Sequence, residues 1–326
     1  MPAFSILIPS YNHARFLEER IESILNQTVQ DFEIIVIDDA STDNSAAVLE
    51  QYQNHPKFSH IIVNKQNSGS PFGVWRQGLA LATGHWVWIA ESDDIAEPGF
   101  LEEALRAIQN YPNVDIFYCD SYVLDENGKQ YAEKFSERKN RVFKTNKWSN
   151  SYFKDGITEV NESLKYDCTI NNMSSAVIRL ELARENAGGI HEFYFHGDWY
   201  FLLRATMAGN IYYCQKPLNH YRIYQKSHSS GVELVTSRKE CFRILRLLLH
   251  NNRITDKKKM IDYFTFNSLA FGILEDGPKK AWRILSYYFK ADFSLAARIT
   301  AKIAAIKIFR KKSSYFEPET IWGMRE

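Results

Sequence analysis

The chain has 326 residues, 45% of them hydrophobic, with 40 Lys and Arg against 39 Asp and Glu and a formal net charge of +1. That length suits one large α/β domain with an appendage, or two domains, and that apolar fraction can fill a sizeable core. Near-balance of charge excludes a broadly electrostatic grip on nucleic acid, and no nucleic-acid partner is expected.

Short β-branched or aromatic runs alternate with helix-period segments from the start. The run 4–8 is followed by Leu17, Ile21, Ile24 and Leu25 at helical spacing, and the run 34–37 by Val48 and Leu49. Then come a run at 61–63, a helix over about 74–82, the run Trp86-Val87-Trp88-Ile89-Ala90, a helix over about 99–110 and a run at 115–119. Strand-helix-strand order predicts a Rossmann-like α/β fold with a mainly parallel sheet and flanking helices. Such sheets bind ligands beyond the carboxyl ends of their strands.

The residues at those ends are polar and acidic. Pro9-Ser10-Tyr11-Asn12 follows the first run, Asp38-Asp39-Ala40-Ser41-Thr42-Asp43 the second, residues 64–69 the third and Glu91-Ser92-Asp93-Asp94 the fourth. Asn12, Ser41 and Asp43 suit helix caps equally well, and the Asp38-Asp39 pair suits a solvated turn. Three acids in four residues repel one another unless a divalent cation, hydrogen-bond donors or open water compensate. A metal, Mn2+ or Mg2+, carrying a polyphosphate uses all three. Asp39 can accept the N3–H of uracil or thymine, which suits a UDP or dTDP nucleotide. No Gly-x-Gly-x-x-Gly follows the first run and no Walker-type loop occurs, so the metal replaces a glycine-rich phosphate loop.

Taken together, Pro9-Ser10-Tyr11-Asn12, Val36-Ile37-Asp38-Asp39-Ala40-Ser41-Thr42-Asp43, Asn67-Ser68-Gly69 and Gly84-His85-Trp86-Val87-Trp88 leading into Glu91-Ser92-Asp93-Asp94 resemble the glycosyltransferase family 2 pattern. The resemblance covers about residues 4–125, returns over 165–231, and implies the GT-A fold with a nucleotide-sugar donor over the strand ends. It implies donor contacts at Pro9, Tyr11, Asn12, Asp39, Asn67, Gly69, Glu91, Ser92 and Asp93, with the metal on Asp93 and Asp94 as second choice. Glu91 stands where the family most often has Asp.

An inverting transfer needs a base for the acceptor hydroxyl. The segment His196-Gly197-Asp198-Trp199 resembles the family's Glu-Asp motif at a helix start, with Gly197 in place of the Glu, and so implies Asp198 as base; a first-turn acid on a helix dipole is the plainer reading. His191 and His196 read as loop or core histidines. Tyr221-Arg222-Ile223-Tyr224-Gln225-Lys226-Ser227-His228 resembles the loop after the last strand, implying Arg222, Lys226 and His228 as cations over the diphosphate, against the alternative of a basic loop with no fixed partner. The polar stretch 169–175 suits either an acceptor pocket or a capped turn.

From about Ser237 the pattern becomes helical: Phe242, Ile244, Leu245 and 247–249, then 260–274, then a segment after Gly277-Pro278. Domains are expected at 1–235, with nucleotide-sugar binding in 1–125 and acceptor and base in 126–235, and at 236–326 for a C-terminal helical region. Leu295, Ile299, Ile303, Ile306 and Phe309 alternate with Arg298, Lys302, Lys307, Arg310, Lys311 and Lys312, a pattern that suits an anionic membrane surface or a helix packed on the domain with a solvated basic face. Cys119, Cys168, Cys214 and Cys241 form no Cys-x-x-Cys pair, the N-terminus lacks a secretory pattern, and no stretch reaches the ~20 apolar residues of a spanning helix. The expectation is a cytoplasmic protein, peripheral on the inner face of the membrane if the basic helix binds it. The expected activity is metal-dependent inverting transfer from a UDP- or dTDP-sugar to a glycan or lipid-linked acceptor in cell-surface polysaccharide synthesis. A nucleotidyltransferase acting on sugar phosphates and a non-catalytic sugar-binding module are the alternatives.

Overall fold

The computed structural model describes residues 1–170, 172–224, 234–265 and 278–309. Strands β1 (Phe4–Ser10) and β2 (Phe32–Asp38) are buried along nearly their whole length, as unbroken apolar runs require when both sheet faces are covered. With β3 (Phe58–Val63) and β4 (Trp86–Ile89) they pair in parallel in the order β3-β2-β1-β4. The covering helices are α1 (Ala14–Leu25), α2 (Ser45–Glu50) and α3 (Pro71–Leu81). The α1 face turned inward carries Phe16, Leu17, Arg20, Ile21 and Ile24, helical spacing with an arginine among the apolar side chains. Ser70 caps α3 by accepting from the Phe72 N–H, with Pro71 in the first turn. Gly78 lets α3 lie directly on β1, since a Cβ there would meet Leu7 Cδ1 at 2.1 Å.

Beyond β4 the sheet, parallel in most of its pairing, also takes in antiparallel strands. The chain runs through β5 (Ile95–Ala96), α4 (Phe100–Asn110), β6 (Ile116–Leu124), α5 (Phe135–Phe143), β7 (Tyr152–Asp155) and α6 (Gly156–Glu159). It then returns as β8 (Ala176–Arg179), followed by α7 (Leu180–Asn186), α8 (Gly197–Ala208) and β9 (Asn210–Arg222). After this long excursion β8 enters between β4 and β6 from the opposite end and is antiparallel to both. β9 runs parallel to β6 and takes β5 and β7 antiparallel. The described strands form one nine-stranded sheet.

Four helices follow: α9 (Leu234–His250), α10 (Lys257–Phe264), α11 (Pro278–Ala291) and α12 (Phe293–Phe309); residues 266–277 lie outside the described ones. Their apolar side chains join the main core. Phe242, Leu245, Phe264, Tyr288 and Ile299 belong to one buried cluster with Leu7, Trp75 and Phe201, and Trp199 stacks on Phe264 at 5.7 Å. The core therefore runs across position 235 without a break.

Leu295, Ala296, Ile299 and Ile303 are buried in that cluster, and Lys302 pairs with Asp262 on α10. The apolar stripe of α12, which suited a membrane surface, is thus spent on the protein itself over these residues. The side chains of Ile306, Lys307 and Phe309, and residues 310–312, lie outside the described set. Among the described residues no helix is long and apolar enough to cross a membrane. All four cysteines are buried thiols.

Candidate active site

β4 delivers Glu91, Ser92, Asp93 and Asp94 to a turn braced from the far half of the sheet. The Glu91 N–H donates to Ser174 Oγ at 2.9 Å, and Trp88 Nε1 donates to the Ser174 carbonyl at 2.8 Å. The polar stretch 169–175 thereby supports the acidic turn; Thr169, Ser174 and Ser175 are fully buried, and Asn171 lies outside the described residues.

The two adjacent aspartates differ. Asp94 is 2% exposed, with Oδ1 accepting from the Arg222 N–H at 2.9 Å and Oδ2 accepting from Asn172 Nδ2. Asp93 is half-buried; its Oδ2 accepts from Tyr224 at 3.0 Å, and its Oδ1 takes no hydrogen bond from the described residues. Tyr224 also meets His13 Nε2 at 2.7 Å, and His13 Nδ1 meets Ser92 Oγ at 2.7 Å. Tyr224 donates to Asp93 and so accepts from His13 Nε2–H, and in the neutral imidazole His13 Nδ1 accepts from Ser92 Oγ. His13 and Tyr224 were not singled out by the sequence, although His13 abuts the flagged Asn12.

Burial first, then Asp93, Asp94 and Asp198, push the Glu91 carboxyl well above its usual range, while Arg20 opposes the rise. Burial and Asp93 push Asp94 up to about 7. Arg20 is the counter-charge. It is fully buried, lies 4.7 Å over the Trp88 ring, and none of its Nε, Nη1 and Nη2 atoms has a hydrogen-bond partner among the described residues. Burial lowers its pKa to about 10, against the pull of Asp94, Glu91 and Asp93, so it stays a cation at neutral pH. Arg20→Leu is expected to cost about 3–5 kcal/mol in urea unfolding at pH 8, the usual penalty for stripping a buried charge of its partner. The raised carboxyls need compensation only when ionised, so the loss should shrink at pH 5.5, below the Asp94 value. An equal loss at both pH values would remove the counter-charge role.

At the second strand end, Asp39 is 4% exposed and accepts from Asn64 Nδ2 through Oδ1 and from the Ser68 N–H and Oγ through Oδ2, at 2.7–2.8 Å. Asp38 accepts from the Ser41 N–H and Oγ. These anchors hold Ala40 at φ +61°, left-handed backbone that a Cβ-bearing residue adopts only under constraint. Asn12, at φ +55°, accepts from the Thr42 N–H at 2.7 Å and donates its own N–H to Ser41 Oγ. Asp43 satisfies the Ala14 N–H at the start of α1 and the Ser45 N–H at the start of α2. Pro9 is buried in β1, Tyr11 is 45% exposed, and Asn67 accepts from the Gly69 N–H at 2.5 Å with open space beside Gly69.

Arg222, expected over a diphosphate, is tied to the acidic turn. Its guanidinium is buried, donating to the Asp93 carbonyl at 2.9 Å, to Glu19 at 2.8 Å and to the Asp125 carbonyl at 3.4 Å. It holds the backbone of the acidic turn. Lys226 and His228 lie outside the described residues.

Asp198 stands in the first turn of α8, where the Trp199 N–H donates to its Oδ1 at 2.7 Å. Burial, then Glu240 and Asp167, raise its pKa to about 6 against backbone N–H groups that lower it. Gly197 is dictated by packing: a Cβ there would lie 2.5 Å from the Phe72 ring, so no glutamate fits. His196 is half-buried and burial drops its pKa to about 3, which leaves it neutral, and His191 is exposed. Among the described residues no three His, Cys, Asp or Glu gather into a cation cage.

Residues 5–178, more than half of the chain, match the model of glycosyl transferase family 2. The chain belongs to that family. Among family 2 relatives, an uncharacterized glycosyltransferase of Methanocaldococcus jannaschii is 32% identical over 178 residues, 51% of this chain and 59% of that protein, so the chain spans under two thirds of its length. Among solved structures, Staphylococcus aureus TarS residues 1–349 in complex with UDP-GlcNAc superposes with a TM-score of 0.65 at 20% identity, covering 91% of this chain and 83% of that TarS fragment. The mannosyltransferase PcManGT of Pyrobaculum calidifontis, in complex with GDP-Man and Mn2+, superposes with a TM-score of 0.56 at 16% identity, covering 94% and 81%. These likenesses make the fold GT-A.

Proposed function

We propose that this family 2 chain is an inverting, metal-dependent glycosyltransferase that moves a sugar from a UDP- or dTDP-sugar to a hydroxyl of a glycan or lipid-linked glycan in cell-surface polysaccharide synthesis. The observation that carries the proposal is the acidic turn at the carboxyl end of β4, where Asp94 is tied down by Asn172 and the Arg222 N–H while Asp93 Oδ1 takes no hydrogen bond from the described residues. Asp198, in the first turn of α8, adds to the charge felt by Glu91 in that turn.

Asp198, with a pKa raised to about 6, is mostly ionised at neutral pH and suited to take a proton from a neutral hydroxyl. The acceptor oxygen attacks the anomeric carbon as Asp198 removes its proton; the bond from that carbon to the diphosphate oxygen breaks, the nucleoside diphosphate leaves with the electron pair, and configuration inverts. Asp93, whose Oδ1 takes no hydrogen bond from the described residues, would hold Mn2+ or Mg2+. When bound, the metal neutralises charge on the leaving diphosphate. Asp39 has one acceptor site left, on Oδ1, for the base edge of the nucleotide. TarS with UDP-GlcNAc and PcManGT with GDP-Man and Mn2+ support a nucleotide-sugar donor and a metal. A membrane contact through the α12 stripe is not part of this proposal.

The test is nucleoside diphosphate release from a panel of UDP- and dTDP-sugars with Mn2+, Mg2+ or EDTA. Metal-dependent release from one donor, stimulated by acceptor, is expected. Pyrophosphate release from a nucleoside triphosphate would make the chain a nucleotidyltransferase, and EDTA-resistant turnover would remove the metal.

A further inference from the structure

We propose that α9 is a working part of the catalytic apparatus, with Glu240 as the positioning residue that holds and tunes Asp198; this rests on the reading of Asp198 as the base. Glu240 is 4% exposed, yet carries a carboxylate. It is matched to three consecutive backbone donors: the Tyr194 N–H at 2.5 Å on Oε1, and the Phe195 and His196 N–H groups at 3.0 and 2.7 Å on Oε2. Successive N–H groups converging on one anion form a rigid concavity. This one ends two residues before Asp198, at the entry to α8, where the residue preceding the helix supplies no side-chain cap of its own. Glu240, more than forty residues farther along the chain, instead fixes the backbone that leads into the helix.

Neighbouring α9 side chains grip the same segment. Ser237 Oγ meets His196 Nε2 at 3.0 Å, and Arg243 pairs with Glu192, donates to the Glu192 carbonyl at 3.1 Å and lies 4.4 Å over the Phe193 ring. The position of the Asp198 carboxylate relative to the sheet is therefore fixed from two sides, by the α8 backbone and by α9.

The field has the same source. Burial raises the Asp198 pKa most, and Glu240 is the leading charge that adds to it, ahead of Asp167. The other groups in electrostatic contact with Asp198 are Glu91 from the turn after β4, Tyr221 from β9 and Cys168, while Arg238 acts on the neutral His196. Removing the Glu240 charge makes Asp198 a weaker base that ionises at lower pH.

The experiment compares wild type, E240Q, E240D and D198N in pH profiles of nucleoside diphosphate release with acceptor. E240Q should move the acid limb of kcat/KM down by roughly half a pH unit to one unit and lower kcat at pH 8 about tenfold with donor KM unchanged. E240D keeps the charge and withdraws it by one methylene, so its limb should stay at the wild-type pH while kcat falls. A purely structural role would change thermal stability and leave limb and kcat at wild-type values, which would overturn the inference. If E240Q does not fold, E240D decides alone, and a wild-type kcat there is fatal. Wild-type turnover in D198N would instead overturn the reading of Asp198 as base, an outcome distinguishable from the failure of Glu240.

Discussion

Asp198→Asn is expected to lose about 10²–10⁴-fold in kcat, the range for deleting a general base, and at the same time to be more stable than the wild type above pH 6. The two effects have one cause. The Asp198 pKa rises from an ordinary 3.8 to about 6 on folding, because burial and nearby Glu240 and Asp167 disfavour its charge. A carboxyl whose folded pKa lies above its unfolded one weakens the fold as pH rises through that interval, and the full penalty is present above about pH 6. Asparagine carries no charge, keeps an oxygen for the Trp199 N–H, and fits the same space. About two pKa units correspond to some 3 kcal/mol at most; allowing for partial exposure of the side chain, a gain of roughly 1–2 kcal/mol at pH 8 and none at pH 4 is expected. Urea unfolding at the two pH values checks it. An inactive variant that is also destabilised at pH 8 would mean that Asp198 serves the fold, as a first-turn acid can.

The parallel half of the sheet was legible because buried strands in it are continuous apolar runs, and because the acids that end those runs break the pattern visibly. β8 was not legible as to direction: Ala176, Val177, Ile178 and Arg179 show an apolar run, but whether it enters the sheet up or down depends on the route of the preceding 50 residues. Asp198 became a candidate only through its resemblance to a motif, and Phe72 against Gly197 accounts for the absence of the glutamate usual there. His13, Arg20 and Glu240 escaped for a shared reason. Their roles are set by partners far off in the chain, such as Ser92 and Tyr224 for His13, 79 and 211 positions away, and no periodicity records that. Arg20 illustrates the limit well, since it sits on the same helical face as Leu17, Ile21 and Ile24 and is as buried as they are, yet an arginine at that spacing reads as a surface residue. The basic helix α12 shows a different limit. Its amphipathic spacing says only that one face is apolar, and the core claims that face at Leu295, Ile299 and Ile303.

Asp93 and Asp94 are adjacent acids of equal length, and the structure separates their expected phenotypes. Asp93→Ala should lose about 10²–10³-fold in turnover, the scale for removing one preorganised electrostatic contact in a transition state, and should lose the thermal stabilisation that Mn2+ gives the wild type. Its stability without metal should stay within about 1 kcal/mol, because the variant gives up one hydrogen bond from Tyr224 and relieves repulsion with Asp94 and Glu91. Asp94→Ala should behave in reverse. It strands two buried donors, the Arg222 N–H and Asn172 Nδ2, and Asn172 cannot turn its amide round, since its Oδ1 already accepts from Asn219 Nδ2 at 3.2 Å. Unsatisfied donors of this kind cost about 1–3 kcal/mol each, and relief of the raised Asp94 charge returns part of that, so a net loss of about 2 kcal/mol is expected, with the Mn2+ stabilisation retained. Thermal melts of both variants with and without Mn2+ distinguish the cases. Retention of the Mn2+ effect in Asp93→Ala together with its loss in Asp94→Ala would transfer the metal to Asp94, which would then have to surrender its bonds to Arg222 and Asn172 to bind it. That rearrangement would free the backbone of β9 from the acidic turn, so metal binding would have to be accompanied by altered hydrogen exchange at the Arg222 amide, whereas a metal on Asp93 leaves that amide as protected as before.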